Sequence, residues 1–250
     1  MKKLLPPLIP FVAITLAVEW LVRSRMVPSY LVPAPSAVLR ALIDNRDELA
    51  AAMAKTSAAA VIGFALSTLT GVALAVLLSS SRAIQRAFYP YAVFFQTVPI
   101  IAIAPLLVIW FGYGMKTVIA SAFIVSIFPV IANSLTGLLS TDPALRDLFH
   151  LYGASTAVTL VKLRFPAALP QILTGLRVAS GLAVIGAIVG EFIGGQGLGS
   201  VVDIARTQQR VDKVFAAVLL ASALGLALFG LINLVSALTL TRWHASEAGQ

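Results

Sequence analysis

The chain of 250 residues has no cysteine and only two histidines, His150 and His244. Disulfides, thiolate nucleophiles and cysteine-ligated metals are thereby excluded, and a multi-histidine metal site is not expected. Charge is scarce too, at 11% of residues against 59% hydrophobic, and the mean hydropathy reaches +0.96. A water-soluble domain of this length does not need so much apolar surface to fill its core. Catalytic signatures are also missing: there is no G-x-x-x-x-G-K-[ST] phosphate loop, no H-E-x-x-H and no G-x-S-x-G. The chain is therefore not expected to bind or hydrolyse ATP, or to catalyse a reaction of its own. The run "GGQGLGS" has the glycines of a nucleotide fingerprint, but a membrane helix precedes it where a strand should stand.

What is present instead is a series of apolar runs, each near the 20 residues that cross a bilayer. Six are read: Leu4 to Val22, Thr56 to Leu78, Phe88 to Phe111, Thr117 to Leu138, Val178 to Ile193, and Val214 to Leu240. They are continuously apolar rather than alternating, which predicts an all-α polytopic membrane bundle and disfavours a β-barrel. The first run follows Lys2 and Lys3 like a signal peptide, yet Glu19 and Trp20 fall where small cleavage-site residues belong. A retained first helix is expected. The proline-rich connector from Ser24 to Lys55 leads into an amphipathic surface helix with Val38, Leu39, Leu42 and Ile43 on one face. The net charge of +8 sits in short connectors, where cations act as headgroup anchors, so nucleic acid is not an expected partner. With six spans, Lys2, Lys3, Arg82, Arg86, Arg146, Lys162, Arg164, Arg177 and Arg242 lie on one side, and the other nine cations lie opposite. An even split leaves orientation undecided by charge.

Packing is more legible. Ala59, Gly63, Ser67, Gly71 and Ala75 recur every four residues, as do Gly186, Gly190 and Gly194, giving two stripes where another backbone can come close. Pro99, Pro105 and Pro129 should free carbonyls and bend their helices. Gln96, Asn133 and Glu191 are polar groups at membrane depth and therefore candidate pathway residues, although Gln96 and Asn133 could equally bond between helices and Glu191 could pair with Arg206. Glu19 should snorkel, and Trp20 and Trp110 should serve as interfacial anchors.

Between the fourth and fifth runs, residues 139–177 form an unusual connector. Thr141 and Asp142 are candidate caps, Pro143 fits a first turn, and Gly153 fits a C-cap. A short helix ending at Gly153 is predicted, then a second segment from Ala154 to Arg164, with Pro166 and Pro170 setting the angle of re-entry. This connector resembles the signature of permease subunits of bacterial binding-protein-dependent ABC importers, E-A-A-x3-G-x9-I-x-L-P. Counted from Gly153, Asp147, Leu148 and Phe149 take the E-A-A places, Leu163 the isoleucine place, and Phe165 with Pro166 the last pair. Spacing is intact, while Asp147 shortens the acidic arm and Leu148 and Phe149 are bulkier than alanine. "FFQTVPIIAIAPLLVIWFGYG" and "FPAALPQILTGLRVASGLAVIGAIVGEFIGGQGLG" are similar to segments of the nitrate, sulfonate and taurine branch.

The resemblance implies a type I importer permease fold in a single domain spanning 1–250, with six transmembrane helices. Both termini and the 139–177 coupling loop would face the cytoplasm of a bacterial inner membrane. It also implies a homodimer, separate ATPase subunits that bind ATP and magnesium, and a periplasmic or lipid-anchored solute-binding protein; no cofactor would bind this chain. Asp147, Leu148, Phe149, Gly153, Ala154, Lys162, Leu163, Arg164, Pro166 and Pro170 would form the ATPase-coupling loop, with Asp147, Lys162 and Arg164 as polar contacts. The solute would be a sulfonate, taurine, nitrate or a thiamine-precursor pyrimidine. Two alternatives from other classes are an ion-gradient-driven secondary transporter, which predicts inverted repeats and midplane charges, and a non-transporting scaffold.

Overall fold

In the computed structural model, which describes residues 5–240, the chain forms eleven α-helices and one π turn. Lys2, Lys3, Leu4, Arg242 and His244 lie outside the described residues. The helices are α1 (Leu5–Arg23), α2 (Pro35–Asp44), α3 (Arg46–Ser80), α4 (Arg82–Thr97), α5 (Ile100–Phe111), α6 (Met115–Leu139), α7 (Pro143–Leu151), α8 (Thr156–Thr159), α9 (Phe165–Gly194), α10 (Leu198–Thr207) and α11 (Val211–Leu240). Among the described residues, four helical stretches are long and apolar enough to cross a membrane: α3, α6, the continuous run Thr156–Gly194 that ends in α9, and α11.

The core is a close-packed sandwich of α3, α6 and α9. A Cβ on Gly63 would stand 2.6 Å from Ala122 Cβ, and one on Gly71 would stand 2.8 Å from Val130 Cγ1. Between them Ser126 Oγ donates to Ser67 Oγ at 2.9 Å. These pairs rise in step along both helices, so α3 and α6 run parallel. On α9 the second stripe meets α6 in the opposite direction, with Gly186 against Ala122 and Gly190 against Ser121, while Gly194 meets Val108 of α5; Gly175, outside the stripe, lies against Asn133. In lipid, side-chain burial from water does not drive helices together, so close backbone approach and hydrogen bonds such as Ser121 Oγ to Gly186 O (2.6 Å) hold the bundle. Both predicted stripes therefore lie at helix contacts.

Several expectations are corrected. The third apolar run is two helices rather than one, interrupted between Thr97 and Ile100. Pro99 lacks an N–H and disfavours helical geometry at Val98, which suffices to break the helix, whereas Pro105 and Pro129 are carried inside continuous ones. The fifth span does not begin at Val178. Helix runs from Thr156 through the π turn (Leu160–Arg164) into α9, so Pro166 and Pro170 lie within it and set no re-entry angle. The wider turn is the reason: the Phe165 N–H reaches back to Leu160 O, shifting the ladder just before a proline that would otherwise break it. The exposed connector is accordingly shorter than 139–177, and Arg177 stands well inside α9, donating to Ser236 Oγ of α11. On α2, Val38 and Ala41 are buried while Leu39 and Ile43 face outward. Glu19 does not simply snorkel but accepts from Ser36 N–H at 3.0 Å and Ser36 Oγ at 2.7 Å, tying α1 to α2. Trp20 and Trp110 are exposed.

Candidate functional site

The short helix α7 is closed at both ends by its own chemistry. Asp142 accepts from the Ala144 N–H at 2.9 Å, and Pro143 occupies the first helical position, where its missing N–H has no partner to lose. At the other end the Gly153 N–H bonds His150 O at 2.9 Å and the Ala154 N–H bonds Phe149 O at 3.0 Å. That pairing is a Schellman stop, and Gly153 takes the required positive φ of 70°. No residue of α7 is buried. Asp147 and Leu148 are exposed and Phe149 half-buried, while Leu151 and Tyr152, at the helix end, are 83% and 84% exposed. An ordered helix thus presents an apolar surface that the described residues of this chain do not cover.

The return path is anchored. Ser155 caps α8 by accepting from the Val158 N–H at 3.3 Å. Lys162 points outward and Leu163 is half-buried. Arg164 turns inward instead: its Nε donates to Leu138 O at 3.1 Å and its Nη2 to Ser79 O at 3.2 Å. Both carbonyls lie in the last turns of α6 and α3, where backbone acceptors lack helical partners and a cation is favoured. Expected as a polar contact to another subunit, Arg164 is engaged within this chain and joins the base of the loop to α3 and α6. Its partners lie 26 and 85 residues away in sequence, so local pattern gave no sign of them.

The three pathway candidates share no hydrogen bond with one another. Asn133 Nδ2 donates to Pro129 O of its own helix at 2.9 Å, beside Gly175 of α9. Gln96 is exposed in the single chain and lines a cavity of about 280 Å³ at the break between α4 and α5. Glu191 lies elsewhere, at the end of α9, and is only 2% exposed. Its Oε1 accepts from Thr56 Oγ1 at 2.8 Å and its Oε2 from the Gly199 N–H at 2.7 Å. Arg206 is not its partner, being paired with Asp203 at 2.8 Å. Thr56, which sequence reading took only as the start of a span, is the hub of this cluster: its Oγ1 also accepts from the Leu198 N–H at 2.9 Å and lies 3.1 Å from Ala52 O. The glycines of "GGQGLGS" now have a physical reason. A side chain on Gly197 would collide with the Glu191 carboxylate, and a Cβ on Gly199 would stand 2.5 Å from Ile188 O. The run wraps a buried carboxylate and pins the top of α9 to α3.

Comparison with known proteins gives this arrangement its context. The family model "Binding-protein-dependent transport system inner membrane component" matches residues 67–239. The formylaminopyrimidine transport permease protein ThiX of Halalkalibacterium halodurans is 38% identical over 221 residues, covering 87% of this chain and 88% of that protein. The putative aliphatic sulfonates transport permease protein SsuC of Bacillus subtilis is 29% identical, covering 76% of this chain and 69% of that protein. Among solved structures, a chain of the MetNI methionine ABC transporter in an inward-facing crystal form superposes with a TM-score of 0.64. It is 16% identical and is matched over 77% of this chain and 98% of its own, a likeness of fold. The chain belongs to the binding-protein-dependent transport system inner membrane components, the permease subunits of ABC importers, and its described residues adopt their helical fold.

Proposed function

We propose that this permease imports formylaminopyrimidine or a closely related aminopyrimidine, as a pair of identical chains seated on two ATPase subunits and supplied by a solute-binding protein. In this reading ATP and magnesium bind the ATPase subunits, and α7 and both termini face the cytoplasm. The observation that carries the mechanism is α7 itself. It is capped at both ends, uncovered on its apolar side, and anchored through Arg164 to α3 and α6. An ATPase surface that grips α7 can therefore bias the whole bundle between inward-open and outward-open states, because the connection is rigid rather than slack. Asp147 and Lys162, both exposed, supply charges for that grip. The choice of solute rests on the 38% identity to a formylaminopyrimidine permease, against 29% to a sulfonate permease.

The test is ATP hydrolysis and uptake in proteoliposomes holding this chain and its ATPase, with the binding protein loaded in turn with formylaminopyrimidine, a sulfonate, taurine and nitrate. Stimulation by the loaded pyrimidine form, accompanied by uptake, is the expected result. Uptake that follows an ion gradient without ATP would replace the proposal with secondary transport, and ATPase association without uptake would leave a scaffold.

A further inference from the structure

The cavity beside Gln96 has a composition that selects among solutes. It lies where the third span is broken at Val98 and Pro99, and it is walled by Ile100, by Phe128 and Pro129 of α6, and by Leu182 of α9. Phe128 and Leu182 stand well inside α6 and α9, away from the helix ends, so the cavity is expected at membrane depth. Irregular backbone at that depth persists where it is buried in protein or lines a polar cavity. The amide of Gln96 makes no hydrogen bond to the described residues, and none of the lining residues is charged.

We propose that this cavity binds the solute in transit and that its chemistry fits a neutral amino-substituted heteroaromatic ring, with Gln96 bonding the ring edge and Phe128 packing on its face. The inference rests on the functional reading above. A carboxamide offers one acceptor and two donors in a planar fork, the geometry that reads an amino group beside a ring nitrogen. An aromatic wall adds stacking. A sulfonate or nitrate would enter such a cavity without a cation to compensate its charge, at large desolvation cost. A volume of about 280 Å³ falls just under the ~300 Å³ at which ligand pockets begin, so it suits a small single ring rather than a larger ligand.

The experiment compares uptake of formylaminopyrimidine with uptake of its analogue lacking the exocyclic ring amine, using the complete complex with wild-type permease or Gln96→Leu. The same binding protein serves both, so the change in preference isolates the permease. Loss of the fork should lower the preference for the amine about tenfold. A purely structural role for Gln96 would slow both solutes alike. A second variant guards against misfolding: Gln96→Cys places the sole thiol in a chain with no other cysteine, and formylaminopyrimidine during turnover should protect it from maleimide. Wild-type uptake of the pyrimidine with unchanged preference in Gln96→Leu and an unprotected Cys variant would overturn the site alone. A wild-type complex that imports a sulfonate and no aminopyrimidine would overturn both the functional reading and the ligand class.

Discussion

Replacing Arg164 by methionine keeps the apolar stem and removes the guanidinium. The wild-type side chain makes two hydrogen bonds, at 3.1 and 3.2 Å, to carbonyls on two different helices. Each is charge-assisted, but the group is half-buried and water replaces part of what is lost, so the pair contributes about 2–4 kcal/mol rather than the full sum. That range corresponds to an increase of about 30-fold to several hundred-fold in the local opening constant of the loop. Amide hydrogen exchange in the assembled complex reads this directly. The α8 and π-turn amides, residues 156–164, should exchange faster by such a factor, while the α3 and α6 cores stay protected. Uptake per ATP hydrolysed should fall in parallel, because motion at α7 would no longer be passed to α3 and α6 at once. Arg164→Lys should fall between, since one ammonium cannot reach both carbonyls with fork geometry. Unchanged exchange and unchanged coupling in Arg164→Met would refute the clamp.

Gly153→Pro forces φ to about −65° at a position that sits at +70°, and it deletes the bond to His150 O. We expect an inserted protein whose ATP hydrolysis no longer drives uptake, measured as the ratio of the two in proteoliposomes. Glu191→Ala should destabilise the purified complex by about 2–4 kcal/mol by leaving Thr56 and the Gly199 N–H without their buried acceptor. Glu191→Gln should cost less than about 1 kcal/mol, because the amide oxygen can accept from Gly199 and the amide nitrogen can donate to Thr56, which turns to Ala52 O. Thermal unfolding of the two variants side by side checks the order, and equal losses would count against this account of the cluster.

Local chemistry in the sequence was enough to place α7 and its stop, because caps, a first-turn proline and a left-handed glycine act within a few residues of one another. The small-residue stripes were legible for a related reason: a four-residue period defines one helix face whatever it packs against. The bounds of the fifth span were not, since hydropathy registers the cations at Lys162, Arg164 and Arg177 as a reason to leave the membrane. A π turn and two distant carbonyl acceptors allow the helix to continue through the first two of those cations, and Ser236 accommodates the third.

The sequence by itself thus determined the membrane class, the small-residue faces, the capped helix and the motif spacing that pointed to the family. Only the tertiary structure decided that Arg164 is an internal clamp and that Glu191 is held by Thr56 rather than Arg206. It alone decided that Gln96 lines a cavity at a broken helix, while Glu191 belongs to a separate cluster at the end of α9. The first group depends on periodicity and on contacts between near neighbours in the chain. The second depends on polar groups that find their partners across the bundle, 26 to 135 residues away, and no local pattern encodes which carbonyl, hydroxyl or amide will be waiting there.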